Sequence, residues 1–206
     1  MVGTQEKHLP SEGLGEDKPK PARARILEVA AELFYREGIR AIGVDTICAR
    51  SGVAKMSLYR AFPSKDDLIA AFLADADTRY WAWWDGVVGR HPGQPREQLR
   101  AVFAAVAKKT TSPHYRGCPF VNTATEFPEP DHPGRAVALA NKRELRARLR
   151  ALAAAIGARD PDLLADQLLL LMDGAYSTGQ MLGDGGPGRG LPAAAEALIE
   201  AQLGSR

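Results

Sequence analysis

Val44-Asp-Thr-Ile-Cys-Ala-Arg-Ser-Gly-Val-Ala-Lys-Met-Ser-Leu-Tyr-Arg-Ala-Phe62 is the stretch that decides the fold. It reads as two short helical segments, Val44 to Ser51 and Lys55 to Phe62, broken at Gly52 and stopped by Pro63. A DNA-reading helix-turn-helix needs two short helices that cross steeply, a small residue where they approach, a glycine in the turn and apolar anchors on both. Ile47, with small Cys48 beside it, supplies the first helix, Gly52 and Val53 the turn, and Leu58 the anchor of the second helix. Ser51 is more polar than the entrance to such a turn requires. Lys55, Ser57, Tyr59 and Arg60 of the second helix, and Lys65 just beyond it, are candidates to face DNA. Arg and Lys pair with guanine edges or phosphates, and Ser and Tyr hydroxyls reach phosphates.

Working outward, Ile26, Val29, Ala30, Leu33 and Phe34 recur at helical spacing and end at Gly38. Residues 1–21 are polar, rich in Gly, Pro, Lys and Glu, and predict a disordered tail with a basic end. Downstream, Ser64 with Asp67 forms a capping-box arrangement that opens a long helix striped by Ile69, Leu73, Ala76, Tyr80, Trp84 and Val87. Further helices are expected over Leu99 to Lys109, a short segment Cys118 to Phe127, Arg135 to Ile156, Asp162 to Leu182 and Pro192 to Leu203. Loops are expected at His91 to Pro95, Thr110 to Gly117 and Pro128 to Gly134, with a flexible one at Gly183 to Gly190. No strand alternation is present, so the expected fold is all-α with about nine helices. The domains expected are a tail (1–21), a helix-turn-helix head (22–65) and a helical body (66–206).

The net charge of +2 says little by itself, but Lys18 to Lys65 holds ten basic and four acidic residues. That local excess suits an electrostatic footprint for nucleic acid, and the rest of the chain is slightly negative. Two cysteines make no disulfide framework, and no apolar run is long enough for a membrane span. A cytoplasmic protein that keeps away from membranes is the expectation.

The run Ile26-Leu-Glu-Val-Ala-Ala-Glu-Leu-Phe-Tyr-Arg-Glu-Gly38, the stretch Val44 to Phe62 and Ser64-Lys-Asp-Asp-Leu68 resemble the tetracycline-repressor (TetR) family. The family pattern of Leu-Tyr, a following aromatic and a Lys opening the fourth helix is met by Leu58-Tyr59, Phe62 and Lys65. The resemblance implies an all-helical homodimer whose DNA contacts fall at Lys55, Met56, Ser57, Tyr59, Arg60 and Lys65. Gly43-Val44 departs from the usual threonine at the start of the second helix, and Ala61 from a common histidine.

The body carries no such motif. Tyr80, Trp84, Phe103, Phe120, Phe127, Met172 and Tyr176, with Cys118 and Asn122, are candidates to line a pocket for a bulky, largely apolar effector. The competing assignment for each aromatic is plain core. Cys118, at a loop-to-helix junction beside Arg116, is also a candidate thiol sensor of oxidants or electrophiles. The patterns Arg135 to Ile156 and Asp162 to Leu182 are expected to form the dimer interface. Gly183-Asp-Gly-Gly-Pro-Gly188 matches G-x-G-x-x-G literally but follows a helix, so it is no dinucleotide site. The Arg-rich face of Lys142 to Arg150 reads as a solvated amphipathic surface. No cofactor or metal is called for, and catalytic residues are not identified. A helical carrier or enzyme without DNA affinity is the remaining alternative.

Overall fold

The computed structural model of the chain describes residues 20–204. The expected tail, residues 1–21, lies outside the described residues apart from its last two positions. Nine α-helices run through the rest: α1 (Ala22–Glu37), α2 (Val44–Ser51), α3 (Lys55–Ala61), α4 (Lys65–Val88), α5 (Pro95–Thr110), α6 (Pro119–Glu126), α7 (Pro133–Ala155), α8 (Pro161–Leu182) and α9 (Leu191–Leu203). There is no strand among the described residues.

The helix boundaries follow local chemistry. Gly52 adopts the left-handed conformation (φ 63°, ψ 31°), the turn that separates α2 from α3. The Ser64 hydroxyl oxygen accepts from the Asp67 amide at 3.0 Å and caps α4. The Asp67 carboxylate does not reach back to the Ser64 amide; it accepts a hydrogen bond from the Ser64 hydroxyl at 2.7 Å. Asp160 caps α8 by accepting from the Leu163 amide. Pro95, Pro133 and Pro161 each stand in the first turn of their helix, where a missing N–H costs nothing.

Ile26, Ala30, Leu33 and Phe34 of α1 close over Ile47, Leu58 and Leu68 to form the core of the head. Full burial of each such side chain stabilises by about 1.5–3 kcal/mol. In the body, α4 packs on α5 and α7, α7 on α8, and α9 covers α5 and α8. The polar face of α7 is tied to its neighbours. Lys142, Arg146 and Arg150 pair with Asp173, Asp166 and Asp162 of α8, and Arg148 pairs with Asp85 of α4.

The Gly183–Gly190 segment differs from its expectation as a flexible loop. It folds into two 3-10 turns, Gly183–Gly185 and Pro187–Gly190, that pack against α5 and α8. Glycine allows this close approach: a Cβ on Gly188 would come within 2.9 Å of Thr110 Oγ1.

Candidate nucleic-acid interface

Leu58 is fully buried and fixes α3 against the head. The opposite face therefore points outward, with Lys55, Met56, Tyr59 and Arg60 exposed and Ser57 half-buried. Met56 is 76% exposed, a position that gains nothing from the protein's own core. Lys55 Nζ pairs with Asp45 Oδ1 of α2 at 2.8 Å, and that hydrogen bond holds the ammonium pKa above its ordinary value.

Arg25 holds the turn from behind, a role the sequence did not signal. Its Nη2 donates to the carbonyls of Ser51 (2.6 Å) and Gly52 (2.8 Å), and its Nε also reaches Ser51 O. These acceptors are the loose carbonyls of the α2 C-terminus, where a cation is favourable. Ser51, suspect in the sequence, is buried, and its hydroxyl donates back to Cys48 O at 3.4 Å. Lys65 is turned inward. Its Nζ donates to Ile39 O at 2.8 Å and lies 5.9 Å from the Phe34 ring, and burial lowers its pKa. Gly43 caps α2 without any side-chain hydrogen bond, and Ala61 packs on the head core.

The loop between α1 and α2 is gripped by the body. Glu126, at the end of α6, accepts from the amides of Ile39 (3.2 Å) and Arg40 (2.8 Å). Tyr35 of α1 donates to Gly117 O and accepts from the Arg116 amide, while Arg116 Nε reaches Arg36 O. Phe127 stacks on His132 with centroids 4.2 Å apart, and the Arg40 guanidinium lies 5.0 Å from the Phe127 ring.

The candidate pocket residues are divided by the structure. Cys118, Asn122 and Tyr176 line one cavity of about 390 Å³ between α1, α6 and α8. Tyr80 and Phe120 line a cleft of about 810 Å³ between α1 and α4. Trp84, Phe103 and Met172 are buried in the body core, and Phe127 belongs to the junction with the head. Tyr115, which no sequence pattern singled out, is buried beside Tyr176. Among the described residues no group of three or more His, Cys, Asp or Glu is placed to hold a metal ion, and no helix is long and apolar enough to cross a membrane.

The apolar surface left open in the body includes α8, α9 and Leu139 of α7. Leu163, Leu170, Met181 and Leu182 of α8 are exposed, Leu170 by 74%. A groove of about 640 Å³ runs beside them, lined by Leu171, Gly174, Leu191, Ala194 and Leu198. On α7, Leu139 is 48% exposed, while Arg146 and Arg150 pair with α8 and Arg148 with α4.

Comparison with known proteins agrees with this architecture. Residues 26–72 match the family described as bacterial regulatory proteins, tetR family, and residues 95–191 match the tetracyclin repressor-like C-terminal domain. A TetR-type transcriptional regulator of Streptomyces avermitilis is 36% identical, with TM-score 0.81, over 90% of this chain and 100% of that one. SCO4454, a TetR-family transcriptional regulator from Streptomyces coelicolor, is 33% identical, with TM-score 0.84, over 89% of this chain and 96% of that one. The HTH-type transcriptional regulator YjdC of Escherichia coli is 23% identical over 155 residues, 75% of this chain and 81% of that protein. With its helix-turn-helix head, its helical body and these relatives, the chain belongs to the TetR family of DNA-binding transcriptional regulators.

Proposed function

We propose that the chain is a ligand-responsive repressor that binds a pseudo-palindromic operator as a homodimer and releases it when a small, largely apolar effector enters the body. The division into a head (22–65) and a body (66–206) follows from the same reading. One observation carries it: the α3 face bearing Lys55, Met56, Tyr59 and Arg60 is turned outward on a head whose α1–α2 loop is held by Glu126 of the body. A ligand that moves α6 thereby acts on the angle of the head. Two heads must sit about 34–36 Å apart to enter successive major grooves, so a small change of angle lowers affinity. The open stripe of α8 with the groove beside α9 is the face we assign to the second copy. The thiol-sensor alternative is disfavoured by burial, because Cys118 is 7% exposed and reactive cysteines are usually accessible.

The test is a fluorescence-anisotropy titration against DNA from upstream of the coding region, across a salt series. Specific, salt-sensitive binding with two subunits per site is expected, and Arg60→Ala weakens it by about 10–100-fold. Absence of binding to any DNA at low salt overturns the proposal.

A further inference from the structure

The cleft of about 810 Å³ between α1 and α4 has the size of a small-molecule site, for which about 300–1,000 Å³ is usual. Six charged side chains line it. Five of them are paired: Glu28 with Lys20, Glu32 with Arg36, and Asp75 with Arg79. The sixth, Lys109 in the last turn of α5, has neither an ion pair nor a hydrogen bond among the described residues. Neighbouring protein crowds its ammonium, so that burial lowers its pKa, yet the residue stays exposed along the cleft wall. A crowded ammonium without a counter-charge is held at a cost that a bound anion removes.

Lys109 Nζ lies 5.8 Å from the centroid of the Trp83 ring, which belongs to the same wall and is only half-buried. Tyr80 stands behind Trp83, with centroids 5.4 Å apart, and Phe120 meets Tyr80 edge-on at 6.2 Å. Those two rings are buried, so they stiffen the wall and leave the Trp83 indole as the aromatic surface open beside the ammonium. On the α1 side, Leu27 and Ala31 are half-buried and apolar. The cleft thus offers one unpaired positive charge at the edge of a flat aromatic surface. Arg36 and Arg79 are tied to Glu32 and Asp75, so a dianion such as a phosphate monoester would be matched only in part.

We propose that this cleft binds an aromatic carboxylate, its ring against Trp83 and its carboxylate on the Lys109 ammonium. This rests on the ligand-responsive reading above and names the chemistry of the ligand. A neutral arene would leave the ammonium as it stands, and an amine would be repelled by it. An aliphatic acid would meet the charge without matching the flat indole face. Leu27 and Ala31 belong to α1 of the head, while Trp83 and Lys109 belong to α4 and α5 of the body. A ligand that fills the cleft therefore stands between the two parts and bears on the angle of the head.

The test uses the full chain and three probes: 2-naphthoate, its neutral amide 2-naphthamide, and the aliphatic acid cyclohexanecarboxylate. Each is titrated by calorimetry into the wild type, Lys109→Met and Lys109→Arg, and each protein is also melted without ligand. The wild type is expected to prefer 2-naphthoate over either of the other probes by about tenfold or more. Lys109→Met should bind naphthoate and naphthamide alike while melting as the wild type does, and Lys109→Arg should keep part of the preference. A wild type that does not bind naphthoate, or binds it no better than the amide, overturns the proposal. So does a Lys109→Met variant that keeps the preference, since the carboxylate would then be held elsewhere. Cyclohexanecarboxylate bound as tightly as naphthoate overturns the aromatic half. Operator titration is run in parallel. A protein that binds DNA but ignores naphthoate sinks only this inference. One that prefers naphthoate but binds no DNA sinks the regulator reading and leaves the site.

Discussion

Helices α2 and α6 are each eight residues long and each bury two side chains, Ile47 and Ser51 in one, Phe120 and Thr123 in the other. They differ in what holds their ends. The C-terminus of α2 is fixed inside the head, by the Gly52 amide on Cys48 O and by Arg25 on the Ser51 and Gly52 carbonyls. The C-terminus of α6 is shared. Arg135 of α7 reaches Ala124 O and Phe127 O, while Glu126 holds two amides of the head. A helix held by its own domain keeps its angle to its neighbour, as recognition of a groove demands. A helix held from both sides passes displacement across the boundary. The comparison therefore separates α2, which backs the outward face of α3 from within the head, from α6, which is shared between head and body.

The largest expected effect strikes α3, the helix that α2 supports. Leu58→Ala leaves a cavity under α3 and should cost about 2–5 kcal/mol in the head. Denaturant melting with operator titration checks it: DNA binding is lost, while the body helices keep their unfolding midpoint. Loss of the whole molecule in one step would show that head and body are a single cooperative unit. Glu126→Gln is the sharper probe of α6. Replacing a carboxylate by a neutral amide weakens the bonds to Ile39 and Arg40, so exchange of those two amides should speed up by about 5–10-fold, on the order of 1 kcal/mol. The amides of α2 should be unchanged, and faster exchange there would erase the distinction.

The smallest effect lies far from both helices. Arg100, and with it Arg96, holds the Glu196 carboxyl down at about 2, joining α5 to α9. A carboxyl whose folded pKa is depressed contributes stability above its unfolded value, and that contribution is lost as pH falls from about 5 toward 2. The pair is partly exposed, so the loss should be about 1 kcal/mol, and Glu196→Gln should remove it in acid melts of the body. Exchange at Ile39 and Arg40 should not follow that titration.

What the sequence disclosed depends on range. The limits of α2, Gly52 and the start of α4 at Ser64 are written in adjacent residues, and each stands where expected. Prolines misled in a consistent way: Pro95 and Pro133 read as loop but occupy first helical turns, because composition does not distinguish a break from a beginning. The contacts that build the interface from behind left no signal. Arg25 meets the turn 26 residues away and Glu126 meets Ile39 at a separation of 87, distances at which no periodicity operates. Arg25 is one of several basic residues near the start of the head, and Tyr115 one residue of an expected loop. An arginine stripe on α7 looks the same in sequence whether the arginines meet water alone or also the aspartates of a neighbouring helix.

The Lys55–Asp45 pair has a consequence for ionic strength. Each phosphate neutralised by a free protein cation releases condensed counterions and adds about 0.9 to the slope of log affinity against log salt. Lys55 already carries its own anion, supplied by α2 and largely exposed. If Lys55 turns to a phosphate, Asp45 is left to recruit a cation from solution, and the release at one site is offset by uptake at the other. The operator complex should therefore show a shallower salt slope than its count of basic contacts implies. Asp45→Asn should steepen the slope by close to one unit.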